Sequence, residues 1–155
     1  MALDDDIALL ARQPLLSLME RDALRLVAFA AESRILRAGD VLFRVGEPSD
    51  GGLLVISGAI ALTSGDNGQP AEEIAGPGAL IGEIALFASI ARPATAIARE
   101  PTQVMRLSRS VMRRVLAESP ASAQAVAEAI GDRLRGFVEE LTAVQNALTA
   151  IDAAP

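Results

Sequence analysis

Between residues 80 and 98, "LIGEIALFASIARPATAIA", one acid and one base stand among small and apolar neighbours: Glu83 and, nine positions later, Arg92. Gly82 ends an apolar run, and "EIALFA" (83–88) reads as a helix of barely more than one turn. The first amides of such a turn have no partner within it and carry the positive end of its dipole, so they suit an anion. Arg92 adds a planar, permanently charged fork that can close on the same anion with two hydrogen bonds. Glu83 can accept a hydrogen bond from a hydroxyl but cannot hold phosphate. A ligand with an anionic group beside a hydroxyl fits this set, and a ribose cyclic phosphate is one. The alternative is a structural turn in which Glu83 caps the helix and Arg92 lies in solvent.

The rest of the composition removes many other chemistries. The chain of 155 residues has no histidine and no cysteine, which excludes serine–histidine and cysteine–histidine catalysis and most zinc and haem sites. No catalytic or metal-binding residue is therefore expected, and the chain does not read as an enzyme. The net charge of −6 opposes a nucleic-acid surface, which needs a basic patch. Arg106, Arg109, Arg113 and Arg114 do cluster, and read as the solvated face of a helix. No apolar run reaches the roughly 18 residues of a membrane span. "MALDDDIALL" puts three aspartates where a signal peptide carries positive charge, so a cytoplasmic location is expected.

The elements that must hold Glu83 and Arg92 follow from punctuation and periodicity. A helix is expected near 5–11, a break at Pro14, and a second helix over about 18–30, where Ser17 and Glu20 form a capping-box pattern and Leu24, Val27, Ala28 and Ala31 share a face. From Ser33, apolar runs of four to six residues are separated by Gly-Asp, Gly-Glu-Pro, Asp-Gly-Gly and Ser-Gly, the pattern of short strands and tight turns. "SGDNG" (64–68) is the best hairpin tip, and "ATAIA" (94–98) and "TQVMRLS" (102–108) supply two further strands. A short helix over 109–117 ends at Pro120, and a long helical stretch runs to about Ile151.

In that stretch Ala123, Ala127, Ile130, Leu134, Phe137, Leu141, Val144, Leu148 and Ile151 recur at alternating intervals of four and three, with Glu128, Arg133, Arg135, Glu139 and Glu140 off the line. Such a narrow stripe is the seam of a coiled coil, so a homodimer through residues 123–151 is expected. A helix laid along its own domain, with a wider stripe, is the alternative. Gly131 and Gly136 flank the seam, either for close approach or as tolerated glycines.

"GEIAL" (82–86) followed by "RPAT" (92–95) resembles the phosphate-binding cassette of cyclic-nucleotide-binding domains, and "RAGDVLFRVGEPSDGGLLVISGAIAL" (37–62) resembles their β-roll opening. The resemblance covers about residues 7–120. It implies an α+β, mainly β fold: an antiparallel, jelly-roll-like β-roll with N-terminal helices, a short cassette helix, a hinge helix and a long C-terminal helix. The expected division is a binding domain at 1–119 and a dimerisation helix at 120–155.

By the same resemblance Arg92 takes the cyclic phosphate and Glu83 the ribose 2′-hydroxyl. Gly82 permits close backbone approach, the Ile84 and Ala85 amides face the sugar-phosphate, and Pro93, Ala94 and Thr95 complete the cassette. Leu86 couples it to the hinge helix. Phe137 could meet the base, or belong only to the seam. Pro93 offers neither an N–H to phosphate nor a hydroxyl to guanine, which implies weaker phosphate binding and a slight preference for cyclic AMP over cyclic GMP. The expected function is a sensor that signals through its hinge and last helix, with no other cofactor, no nucleic acid and no membrane. Because the chain ends at Pro155 without a DNA-binding unit, its output is expected to pass to a downstream protein partner, unless the chain is a piece of something longer. The competing reading is a dimeric interaction module with a vestigial pocket, or one for a different anion.

Overall fold

The computed structural model describes residues 2–64 and 73–152. The expected hairpin tip at 64–68 lies, past Ser64, outside the described residues. Three helical elements lead in: α1 (Ala2–Leu10), a 3-10 turn (Leu16–Leu18) and α2 (Arg21–Ala30). The capping box does not form. Glu20 precedes α2 with an extended backbone and no side-chain cap, while the Ser17 hydroxyl donates to the Pro14 carbonyl (2.7 Å). The break at Pro14 therefore extends further than the spacing suggested, and residues 16–18 form a separate tight turn.

Eight strands follow: β1 (Glu32–Leu36), β2 (Val41–Phe43), β3 (Gly51–Ser57), β4 (Ile60–Thr63), β5 (Glu73–Ala75), β6 (Leu80–Ile81), β7 (Thr95–Ala98) and β8 (Thr102–Ser108). Among the described residues they form two four-stranded sheets, ordered β1-β8-β3-β6 and β2-β7-β4-β5, with antiparallel pairing throughout. This is the expected antiparallel β-roll.

The central β3 strand, "GGLLVIS", reads as a continuous apolar run because both of its faces are covered. Successive side chains point to opposite faces. Leu53 and Val55 enter the core between the sheets with Leu36, Ile60, Ala96 and Val104. Leu54 enters the core on the other face, with Leu10, Leu24, Val27, Met105, Leu107 and Met112. The helices thus cover the outside of the first sheet, and the second sheet covers its inside.

Ser108 ends β8 and caps α3 (Arg109–Glu118) by accepting from the Val111 amide at 3.3 Å. Pro120 both ends α3 and opens the 33-residue α4 (Pro120–Asp152), where a missing N–H costs nothing in the first turn. Ser122 and Val126 are fully covered, and the Ser122 hydroxyl accepts from the Glu20 amide at 2.9 Å. Beyond Ile130 the helix leaves the body. Leu134, Phe137, Leu141, Val144, Leu148 and Ile151 are all more than half exposed. The start of the stripe therefore packs in cis and the remainder is bare. Gly136 has nothing within 4 Å of where a side chain would begin, so close approach does not explain it here.

Candidate functional site

The Arg92 side chain is positioned by two backbone segments zipped together. The loop 44–50 hydrogen-bonds segment 90–92 through Gly46 N–H to Arg92 O, Arg92 N–H to Glu47 O, and Ser49 N–H to Ile90 O. The Ser49 hydroxyl adds a bond to the same Ile90 carbonyl at 2.6 Å. "GEPSD" in the sequence is this clasp.

Arg92 is not in solvent: the residue is 6% exposed. Its guanidinium carbon lies 4.3 Å from the centre of the Phe43 ring, a cation–π stack that favours the charge. Its ion-pair partner Asp50 stands at 3.7 Å, beyond hydrogen-bond reach. Asp50 is shared, since Arg106 contacts the same carboxylate and also pairs with Glu32 at 3.6 Å. Burial pushes the Arg92 pKa down from its ordinary value; Asp50 and Glu47 pull it back up, and Arg109 and Arg106 push it down. The guanidinium stays charged at neutral pH. A charge is thus held away from water beside a partner that does not fully compensate it.

Gly82 adopts φ +81°, a left-handed conformation that glycine takes at no steric cost. A Cβ at this position would come within 2.8 Å of Arg92 Nη1. The two residues that are ten apart in sequence are therefore in contact, with the guanidinium over the glycine backbone.

The cassette helix is a 3-10 turn, Ile84–Leu86, preceded by Glu83. Glu83 does not cap it with its side chain. Instead Oε2 accepts from the Leu15 amide at 3.3 Å, and Oε1 pairs with Arg133 of α4 at 3.3 Å. Ala85 and Leu86 are buried and Ile84 is exposed. A cavity of about 440 Å³ lies against these residues, within the size range of small-molecule sites. Phe43, Leu62 and Ala75 line it from the second sheet, and Ile81, Gly82, Glu83, Ile84, Arg92, Pro93 and Ala94 line it from the cassette.

The structure therefore gathers Gly82, Glu83, Ile84, Arg92, Pro93 and Ala94 at one cavity. Thr95 is buried and its hydroxyl accepts from the Val45 amide at 2.9 Å, which fixes the strand that follows Arg92. Leu86 packs in the core shared with Met112 and Val115 of α3. Phe137 is 58% exposed on α4 and is not among the residues lining the cavity.

Four residues at or behind the site carried no role in the sequence reading. Phe43 looked like an ordinary strand residue, and Asp50 lay in a turn. Arg133 was one of the charges off the seam. Arg109, read as part of a solvated helix face, turns inward: Nη1 donates to the Ala85 and Ala88 carbonyls at 3.0 and 3.1 Å, and Nη2 to the Ser49 carbonyl at 2.9 Å. One guanidinium at the start of α3 thus holds the end of the cassette turn and the clasp of Arg92. Its position at the strand–helix junction was the available signal, because a residue there faces the elements that precede the helix. Arg113 and Arg114 remain exposed, as expected.

Comparison with known proteins agrees with this geometry. The site is a half-open cavity in an antiparallel β-roll, with a buried arginine in its lining. The sequence profile of the cyclic nucleotide-binding domain matches residues 33–119, and the chain belongs to that family. A cyclic nucleotide-binding-like protein from Brucella abortus is 43% identical, with a TM-score of 0.68, and covers 74% of this chain and 99% of its own. The N-terminal domain of a transcriptional regulator from Streptomyces coelicolor is 29% identical, with a TM-score of 0.75, over 86% of this chain and 94% of that domain. The lysophospholipase nte1 of Aspergillus fumigatus is 31% identical over 115 residues, which are 73% of this chain but 8% of that enzyme. The chain thus spans a small part of the curated relatives it matches. No described helix is long and apolar enough to cross a membrane.

Proposed function

We propose that this domain is a sensor that binds a cyclic nucleotide in the cavity beside Arg92 and signals through α3 and α4 rather than by catalysis. The observation that carries the proposal is the buried Arg92 guanidinium facing that cavity, with Asp50 as its ion-pair partner at 3.7 Å. Desolvating an arginine has a cost that an anion placed in direct hydrogen-bonded contact offsets.

In this reading the cyclic phosphate meets Arg92 in bidentate fashion, with Gly82 leaving room for the guanidinium. The Ile84 and Ala85 amides turn toward the sugar-phosphate, and Glu83 accepts from the 2′-hydroxyl. Pro93 and Ala94 form the wall beside the phosphate without donating from side chains, which favours cyclic AMP slightly over cyclic GMP. Thr95 anchors the strand behind Arg92. Leu86 and Arg109 transmit displacement of the cassette to α3. Phe137 reaches the base only if the outer part of α4 folds over the cavity.

Isothermal titration with cyclic AMP and cyclic GMP tests the proposal. Saturable one-to-one binding, tighter for cyclic AMP, is expected. An absence of heat with both nucleotides, from folded and ligand-free protein, would leave a vestigial pocket or another anion.

The division at 119/120 and a homodimer through residues 123–151 belong to the same proposal. A helix of 33 residues is about 50 Å long, and its outer two-thirds carry an apolar stripe that nothing among the described residues covers. Pairing two such stripes buries Leu134, Phe137, Leu141, Val144, Leu148 and Ile151 in the alternating pattern that knobs-into-holes packing needs. Light scattering behind size exclusion is expected to give twice the chain mass, and Leu141→Glu, which puts a charge into the seam, is expected to give the monomer with the roll intact. A wild-type monomer at tens of micromolar would refute the dimer.

A further inference from the structure

The carboxylate assigned above to the ligand's hydroxyl is already in use. Glu83 is largely buried, its side chain 17% exposed, and its two oxygens serve two different segments. Oε2 holds the Leu15 backbone amide. Oε1 is held by Arg133, fifty residues along the chain and on the turn where α4 leaves the body. Among the described residues, Arg133 to Glu83 is the only ion pair between α4 and the rest of the domain.

The two ends of this pair differ. Arg133 is nearly half exposed, so water can solvate its guanidinium as soon as it lets go, and such a pair holds only weakly. Glu83 lines the cavity, where a hydroxyl delivered by a bound ligand would find Oε1 as an acceptor close by. The amide of Leu15 does not yield in the same way, because an interior N–H left without a partner is costly.

We infer that Arg133 is a ligand-displaced tether: a hydroxyl next to the ligand's anionic group takes Glu83 Oε1, Arg133 is released, and α4 past Ile130 loses its polar attachment to the roll. The inference rests on the reading that Glu83 receives the 2′-hydroxyl. Arg133 then sets affinity from outside the cavity and links occupancy of the site to the helix that carries the bare apolar stripe.

The test compares the wild-type 155-residue chain with Arg133→Gln by titration with 3′,5′-cyclic AMP and with its 2′-deoxy analogue. Removing a competitor held by a half-exposed ion pair should tighten cyclic AMP binding about two- to five-fold. The 2′-deoxy analogue, which has no hydroxyl to compete with Arg133, should bind both proteins equally. Amide hydrogen exchange gives the second readout. Cyclic AMP should speed exchange in α4 beyond Gly131 in the wild type, and the 2′-deoxy analogue should not. Equal or weaker cyclic AMP binding by Arg133→Gln overturns the tether while leaving the nucleotide site standing. A tightening that is the same for both ligands also overturns it, since the hydroxyl would then play no part. Failure of both proteins to bind either ligand overturns the nucleotide reading, and the tether with it.

Discussion

Arg92→Ala is expected to lower cyclic-nucleotide affinity by about 30-fold to several thousand-fold, the loss that follows when one partner of a desolvated charge pair is truncated at about 2–5 kcal/mol. Stability should change little by comparison. The arginine is buried beside Asp50 at 3.7 Å, so the unliganded fold gains little from it, and Asp50 keeps its contact with Arg106 when Arg92 is gone. What is lost is the stack on Phe43. Arg92→Lys separates charge from geometry. It keeps a cation but removes the planar fork, and is expected to fall between wild type and alanine. Titration and thermal melting of the three proteins decide the matter. Wild-type affinity in Arg92→Ala would show that the anion sits elsewhere. A large fall in melting temperature with unchanged affinity would make Arg92 a structural residue.

Gly51→Ala is expected to be the most damaging small substitution for the fold. Gly51 opens β3 and pairs with Ser108 at the end of β8. A Cβ on Gly51 would sit 1.9 Å from the Leu107 carbonyl oxygen and 3.1 Å from the Arg109 amide. These are backbone atoms of the central ladder, so relief requires parting β3 from β8, and not merely turning a side chain. Overpacking typically costs about 1–3 kcal/mol, and a clash of this depth with fixed backbone belongs at or above the top of that range. Against a total stability of about 5–15 kcal/mol the variant should melt far below wild type or fail to accumulate in soluble form. The amide of Arg109, which donates to Asp50 O at 2.8 Å, would be displaced by the same movement. Urea denaturation measures the effect. A midpoint close to wild type would mean that the β3–β8 ladder yields far more easily than its register implies.

These two positions illustrate different relations between sequence and structure. Arg92 stood out in the sequence because an isolated charge in an apolar stretch needs a reason, and "GEIAL" with "RPAT" supplied one. Strand β8 lies at 102–108 as its apolar pattern implied, and α3 begins at Arg109 as expected. In these segments the information is local: turn residues, side-chain period and capping groups act over a few positions. Gly51 was legible only as part of the Asp-Gly-Gly punctuation, whereas it opens β3, and its need for a missing side chain arises from a carbonyl 56 residues away.

The same division separates what was legible about the site from what was not. The cassette motif, the roll and the apolar stripe of α4 were legible, since each is a pattern of neighbours along the chain. The capping box at Ser17 was misleading because a motif gives the possibility of a bond, while the chain direction at Pro14 decided which acceptor the hydroxyl met. The partners of the charged groups were hidden for a deeper reason. Phe43 lies beneath Arg92, Arg133 reaches Glu83, and Arg109 crosses to Ser49 and Ala85. Each of these contacts joins elements far apart in sequence. A periodic pattern says which face of an element is apolar; it does not say which distant polar group that element will pass. That is settled when the two sheets close and the helices dock on them. Burial in that closure sets Arg92 apart from the exposed arginines, holding it against Phe43 beside the cavity, and it leaves the outer part of α4 uncovered.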